Sequence, residues 1–291
     1  MMGLAVGLAR FSLRVVDQTP ATEGSDRDDK GSVTKAALSH LLMAYHNLPL
    51  WRPQMSPASQ TVDAALIAAD TAQALLELHS VLVYEGRPFI YTAGWASPVY
   101  VDCHRVMSRP GLRRKLMDHA AALLRSRLSG VIDVVAGAES SGIPFAAWIA
   151  ERLSLPMVYV RKKPIGWGVN AQVEGELALG ARCLLIDDLT TDGMSKIDAA
   201  RALRHVGATV EHVFVLFNYD IYPQSRRAYA ENGITLHALA TWRDIFSLTK
   251  SLNYFTAERA KEIKTFLADP IAWSIAHGGA GALPRTERSG T

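Results

Sequence analysis

The chain has 291 residues, and 49% of them are hydrophobic, which is enough to bury one large core or two small ones. Its 31 basic and 28 acidic residues leave a net charge of +3, which is too small to indicate a nucleic-acid partner. No apolar run approaches the roughly 18 to 20 residues that cross a bilayer, so we expect no membrane partner and a cytoplasmic location.

The two ends of the chain are predicted to lie outside the folded domain. Residues 1–60 contain the polar, charged stretch ATEGSDRDDKGS, which cannot anchor a core, so we expect a flexible N-terminal extension. Met55 is an alternative start, because ordered patterning begins a few residues after it. Residues 281–291 are expected to be a disordered tail, which leaves a domain over residues 61–280.

Within this domain, helical patterns alternate with short apolar runs. Helices are predicted over residues 61–78, 112–128, 143–153, 195–205 and 256–267. Apolar runs of strand length occupy residues 131–136, 157–160, 183–186, 210–217 and 235–240. Short buried strands that alternate with helices indicate parallel strands joined by right-handed crossovers, so the sequence predicts a doubly wound α/β core.

The most informative segment is CLLIDDLTTDGMSK, residues 183–196. A strand would carry Asp187 and Asp188 to the carboxyl edge of the sheet, where open α/β folds bind ligands. The small residues that follow lead into a helix whose free N–H groups can hold a phosphate. Because the acids would repel that phosphate, sugar hydroxyls or a magnesium ion are their expected ligands. The segment therefore predicts a ribose 5-phosphate site, with an ordinary strand–turn–helix and an aspartate N-cap as the alternative.

This segment resembles the motif with which type I phosphoribosyltransferases bind 5-phosphoribosyl-1-pyrophosphate (PRPP). With the serines of AESSGIP, the resemblance implies that PRPP contacts come from Asp187, Asp188, Leu189, Thr190, Thr191, Asp192, Gly193, Met194, Ser195, Ser140 and Ser141. In the turn that holds the two serines, the resemblance implies contacts between the pyrophosphate and the backbone N–H groups of Glu139–Gly142, and a plain helix N-cap is the alternative. Thr190 and Asp192 depart from the motif, and Asp192 would place a third negative charge beside the 5′-phosphate unless its side chain points away.

A second segment, FIYTAGWASPVYVD over residues 89–102, is similar to the hood that covers the pyrimidine ring in orotate phosphoribosyltransferases. It implies that Gly94, Ser97, Tyr100 and Thr191 bind orotate, with Tyr100 stacked on the ring. A core aromatic on a buried strand is the alternative for Tyr100. The resemblance also implies the type I fold, with a central, mostly parallel sheet flanked by helices. A small hood subdomain is expected from about residue 80 to residue 102, together with the C-terminal part.

A third segment, YVRKKPIGWGVNAQVEG over residues 159–175, resembles the mobile catalytic loop of the same family. It implies catalytic roles for Arg161, Lys162 and Lys163, alongside Asp188 in the PRPP motif. Ile165 occupies the position of the second loop lysine, and Trp167 occupies that of the loop histidine. Lys163 is expected to substitute partly for the missing lysine, and a solvated loop lysine is its alternative.

The activity implied by the resemblance is the Mg²⁺-dependent transfer of ribose 5-phosphate from PRPP to orotate. Asp187 and Asp188 are expected to hold the metal indirectly, together with PRPP. The family also implies a homodimer in which each loop closes over the neighbouring active site. Because Ile165 and Trp167 carry no charge, two alternatives stay open: a diverged paralogue that binds PRPP or a nucleotide with little catalysis, and an enzyme that uses another base.

Overall fold

A six-stranded sheet lies at the centre of the part of the chain that the computed structural model describes, which is residues 62–91, 93–165, 172–252 and 254–281. The predicted N-terminal extension, nearly all of the predicted tail and Trp167 lie outside these residues. Among the described helices, none combines the length and the apolar character that a membrane span requires.

The strands are β1 (Val81–Val83), β2 (Phe89–Ile90), β3 (Ala96–Ser97), β4 (Val99–Val101), β5 (Val134–Ala138), β6 (Met157–Val160), β7 (Val173–Glu174), β8 (Arg182–Thr190), β9 (Thr209–Asn218) and β10 (Thr235–Thr241). The central sheet has the order β10-β9-β8-β5-β6-β7, and only the short β7 runs antiparallel to its neighbour. This arrangement confirms the predicted mostly parallel sheet. Strands β1 and β4 form one small antiparallel pair, and β2 and β3 form another.

The helices are α1 (Ala64–Glu77), α2 (Pro110–Leu128), α3 (Gly142–Leu153), α4 (Met194–His205), α5 (Pro223–Glu231), α6 (Trp242–Leu252), α7 (Ala257–Ala268) and α8 (Pro270–Ala276). A short 3-10 helix covers Cys103–Ser108. The predicted strand at residues 183–186 is too short, because β8 continues through the two acids to Thr190. The sequence patterns also did not predict α5, α6 and α8.

The order of strands reverses between β5 and β8. From β5 the chain continues outward to β6 and β7, and from β8 it continues in the opposite direction to β9 and β10. In open α/β sheets, ligands bind at the carboxyl ends of the strands where this reversal occurs. The start of α3 lies close against β8 there, since a Cβ on Gly142 would stand 2.2 Å from the Ile186 carbonyl oxygen. Glycine therefore brings the turn after β5 against the acids that end β8.

The hood, residues 80–102, is attached to the main sheet through Tyr219, which follows β9. Tyr219 is buried, its hydroxyl lies 2.9 Å from the Tyr91 hydroxyl, and it accepts a hydrogen bond of 3.1 Å from the Val101 N–H. The C-terminal part holds the other side, because the Ala280 N–H donates to the Gly94 carbonyl at 2.7 Å. The hood is therefore positioned over the carboxyl edge of the sheet.

A buried histidine, His237, predicts how stability depends on pH. His237 on β10 places Nε2 3.2 Å from His212 Nδ1, while its Nδ1 faces Arg127 at 3.4 Å. Burial, followed by the charges of His212 and Arg127, lowers the pKa of His237 to about 4. An unfolded histidine takes up its proton near pH 6.5, so the unfolded state binds more protons between these two values.

We therefore expect the contribution of His237 to the free energy of unfolding to be complete above about pH 6.5 and to be lost as the pH falls toward about 4. Urea denaturation at about pH 7 and about pH 5 measures this loss, which should reach about 1 to 2 kcal/mol in the wild type. His237→Gln removes the titrating group, so the variant should lose that much less. An equal loss in both proteins would contradict the assignment.

Candidate active site

Two adjacent acids stand at the carboxyl end of β8, and one of them forms an internal ion pair. Asp187 and Asp188 are both buried, with 7% of each residue exposed. The Lys196 ammonium in the first turn of α4 lies 2.7 Å from Asp187 Oδ2. Burial alone would lower the pKa of Lys196, but the carboxylates of Asp187 and Asp188 outweigh this effect and raise it. The negative charge of Asp187 is therefore neutralised by Lys196 within the protein.

Asp188 is the acid that remains for a ligand. No lysine or arginine among the described residues lies within 4.0 Å of its carboxylate, and its closest basic neighbour is His104, with Nε2 3.7 Å from Oδ2. Burial and the charge of Asp187 raise the pKa of Asp188 to about 6. Sugar hydroxyls or a cation at this carboxylate would replace the water that it has lost.

Residues 191–193 connect β8 to α4, and with the first two residues of α4 they are here called the phosphate loop, residues 191–195. Gly193 has φ +86°, and a Cβ there would stand 2.8 Å from the ring of Tyr229 on α5. The Thr190 hydroxyl, just before the loop, lies 2.9 Å from the Tyr229 hydroxyl and is buried. The Thr190 side chain is therefore turned toward α5, while Thr191 is half-buried and Ser195 is exposed in the first turn of α4.

The side chain of Asp192 is bound by the protein on both oxygens. Its Oδ1 accepts a hydrogen bond of 3.1 Å from the Met194 N–H, and its Oδ2 accepts one of 3.3 Å from the indole N–H of Trp95 in the hood. Trp95 is fully buried and packs against Tyr222, with ring centroids 5.5 Å apart. Asp192 thus connects the phosphate loop to the hood, and its carboxylate is directed at these two donors.

The turn after β5, residues 139–142, is here called the serine turn. Ser141 Oγ lies 2.7 Å from His104 Nε2, and Ser140 is exposed. The Glu139 carboxylate accepts a hydrogen bond of 2.7 Å from the Lys162 N–H, which fixes the start of the loop that follows β6. Ser141 makes no capping hydrogen bond to the described N–H groups of α3, so the plain N-cap alternative is not supported.

The predicted base-binding residues occupy different positions in the hood. Tyr100 is half-buried on β4, and burial together with the nearby carboxylates of Asp188 and Asp102 raises its pKa. Ser97 is fully buried and its hydroxyl donates to the Val99 carbonyl at 2.7 Å. The Gly94 N–H and carbonyl both form hydrogen bonds within the fold. Tyr100 therefore lies near the acids, whereas the other two residues shape the hood.

The predicted catalytic loop begins beside the serine turn. The Arg161 guanidinium pairs with Glu174 on β7 at 3.0 Å and lies over the Tyr159 ring, with 5.4 Å to the ring centroid. Lys162 and Lys163 are exposed, as is Ile165 with 63% of its surface accessible. In this structure Arg161 is thus directed at β7, away from the acids of β8.

Comparison with known proteins identifies the family. The family described as phosphoribosyl transferase domain matches residues 107–263. An orotate phosphoribosyltransferase of Sinorhizobium medicae is 46% identical over 222 residues, which are 76% of this chain and 96% of that protein. The chain belongs to the orotate phosphoribosyltransferase family. A second relative of that name, from Dinoroseobacter shibae, is 44% identical over 216 residues, or 74% of this chain and 96% of that protein.

The crystal structure of orotate phosphoribosyltransferase from Aeropyrum pernix has the same fold, with a TM-score of 0.54 and 29% sequence identity. The match covers 64% of this chain and 99% of that one. The expected type I phosphoribosyltransferase fold is therefore confirmed.

Sequence patterns did not predict four of the described residues at this site. They are His104, Lys196, Trp95 and Tyr229. Each one acts through a partner that is distant in sequence or hidden by burial, such as the Asp192 partner of Trp95. Trp95 and Lys196 lie inside the two motif segments and His104 follows the hood motif by two residues, but these positions alone do not indicate a partner.

The internal ion pair predicts a large effect on stability. Lys196→Met would leave Asp187 buried beside Asp188 without its cation, so we expect the free energy of unfolding to fall by about 3 kcal/mol. The double variant Lys196→Met with Asp187→Asn removes the stranded charge and should recover most of that loss. Urea denaturation measures both, and equal losses in the single and double variants would contradict the pairing.

The bond between the hood and the phosphate loop predicts an energetic coupling. In a double-mutant cycle, Trp95→Phe removes the indole donor together with part of the buried ring, and Asp192→Ala removes the acceptor as well as the bond to the Met194 N–H. We expect a coupling of about 1 to 2 kcal/mol in the free energy of unfolding, because the acceptor is charged. Additive losses would show that the bond contributes nothing.

Proposed function

We propose that this chain transfers ribose 5-phosphate from PRPP to N1 of orotate, giving orotidine 5′-monophosphate and pyrophosphate in pyrimidine nucleotide synthesis. The observation that carries the proposal is the meeting of three parts at the reversal of strand order. Asp188, the phosphate loop and the serine turn all lie there, beneath the hood. The relatives that match most of this chain have the corresponding name.

In the reaction, the bond between C1 of ribose and the pyrophosphate oxygen breaks, and its electron pair leaves with the pyrophosphate. A new bond forms between C1 and N1 of orotate, and the N1 proton passes to a pyrophosphate oxygen. Because positive charge develops on the ribose ring, the site must stabilise that charge and the departing anion, and it must exclude water.

Each part of the site suits one part of the substrates. The N–H groups that begin α4 suit the 5′-phosphate, and Asp188 suits the ribose hydroxyls. The serine turn offers hydroxyls to the pyrophosphate. The half-buried Tyr100 ring suits the face of the pyrimidine.

Magnesium fits this site as a metal that arrives with PRPP. No group of three or more His, Cys, Asp or Glu side chains among the described residues could hold a metal by itself. Asp187 Oδ2 is bound by Lys196, so Asp188 is the carboxylate left to contribute. Mg²⁺ commonly binds one or two carboxylates together with substrate phosphates, and when bound it neutralises charge on the leaving pyrophosphate.

We also propose that Arg161, Lys162 and Lys163 act from a loop that closes over the site of a neighbouring subunit in a homodimer. The hydrogen bond between the Lys162 N–H and Glu139 supports a role near the pyrophosphate, because it fixes the base of the loop at the serine turn. Ile165 removes one charge from this loop, so we expect slower turnover than a loop lysine would give.

Loss of orotate absorbance, with purified protein, PRPP and Mg²⁺, tests the function, and adenine serves as the control base. We expect orotate to be consumed and adenine to be left unchanged. Asp188→Asn should lower kcat/KM by about a hundredfold or more, because it removes the charge that faces the ribose. Asp198→Asn, at an exposed site on the neighbouring helix α4, is the matched control and should leave kcat/KM unchanged.

No orotate consumption, together with tight PRPP binding, would instead favour the diverged paralogue that binds without efficient catalysis. Normal turnover by Asp188→Asn would contradict the placement of the ribose.

A further inference from the structure

His104 lies next to the hood, to Asp188 and to the serine turn. It belongs to the 3-10 helix that directly follows the hood, and its N–H donates to Asp102 Oδ1 at 3.1 Å. Its imidazole Nε2 lies 2.7 Å from Ser141 Oγ in the serine turn and 3.7 Å from Asp188 Oδ2. About half of the side chain, 48%, is exposed. The ring therefore borders the space between the acids and the serine turn.

The adjacent basic residue does not share this position. The Arg105 guanidinium donates to the His79 carbonyl at 2.9 Å and pairs with Asp102 at 3.2 Å. It is thus directed back toward the end of α1. Of the two basic residues in the 3-10 helix, only His104 faces the serine turn.

The contacts of His104 suit a ligand better than they suit fold stability. Its backbone is already fixed by the side chain of Asp102, which would remain after truncation of the imidazole. A half-exposed hydrogen bond to a serine contributes little to folding, because water competes for both partners. The ring is therefore available to exchange Ser141 for a ligand oxygen.

A pyrophosphate bound at the serine turn would need hydrogen-bond donors from the side chains around it. The hydroxyls of this turn are accompanied by the acidic Glu139, which is itself occupied by the Lys162 N–H. Arg161 is paired with Glu174, and Ile165 carries no charge. Lys162 and Lys163 are exposed on the loop that we propose to act on a neighbouring subunit. Among the described basic side chains of the same subunit, His104 is therefore the one placed next to Ser141.

We propose that His104 binds the pyrophosphate group of PRPP, with imidazole Nε2 as the hydrogen-bond donor and Ser141 beside it. This inference rests on the proposed function, since it assigns the serine turn to the leaving group. His104 forms no covalent bond in the reaction. It holds the group on which the electron pair of the broken C1–O bond remains.

Binding of pyrophosphate in the presence of Mg²⁺, measured by isothermal titration calorimetry, tests the inference without requiring turnover. His104→Ala should weaken binding by about tenfold to a hundredfold, as expected for loss of a hydrogen bond to a charged group. His104→Gln keeps an N–H donor of similar reach and should bind within about threefold to fivefold of the wild type. His205→Ala is the matched control, since His205 is exposed at the far end of α4, about 16 Å along the helix from Met194.

Steady-state kinetics separate this role from a structural one. His104→Ala should raise the inhibition constant of pyrophosphate and the KM for PRPP, while the KM for orotate stays within about twofold. A general disturbance of the site would raise the KM for orotate as well. In His104→Gln, the inhibition constant of pyrophosphate and the KM for PRPP should return close to the wild-type values.

The two proposals fail in different ways. If the wild type consumes orotate and His104→Ala binds pyrophosphate as tightly as the wild type, only the role of His104 is overturned. A wild type that binds no pyrophosphate would overturn that role too. If the wild type binds pyrophosphate through His104 but never consumes orotate, the binding role is supported and the proposed transfer reaction is overturned.

Discussion

Two adjacent carboxylates at the end of a buried strand repel each other, and Lys196 relieves this repulsion by pairing with Asp187 at 2.7 Å. The pairing leaves Asp188 as the acid that faces His104 and the phosphate loop, with a pKa raised to about 6 by burial and by Asp187. Because Lys196 lies in the first turn of α4, the same ion pair also ties that helix to β8. The loop between them is thereby held at the edge of the sheet.

The hood is positioned by contacts that come from the rest of the fold. Tyr219 holds it at the end of β9, and Asp192 holds it at the phosphate loop through Trp95. The two departures from the PRPP motif have packing explanations, because Asp192 is paired with Trp95 and Thr190 with Tyr229. The phosphate loop is thus adapted to its own hood and to α5.

The sequence predicted the central α/β pattern because buried strands and amphipathic helices leave local signals. It did not predict α5, whose nine residues, PQSRRAYAE, are mostly polar and bury few side chains. Partners such as Trp95 and Asp192 lie far apart in the chain, so only the topology brings them together. The resemblance located the acids and the loops, but it did not reveal that Asp187 is neutralised by Lys196 or that His104 reaches Ser141.

The central claim is that one edge of the sheet brings a phosphate, a ribose and a pyrimidine together beneath the hood. A crystal structure with bound orotidine 5′-monophosphate tests it most directly, because that molecule carries all three groups. We expect the phosphate at the start of α4, the ribose hydroxyls on Asp188 and the pyrimidine ring beside Tyr100. A phosphate bound elsewhere, or a ribose that does not contact Asp188, would contradict the account.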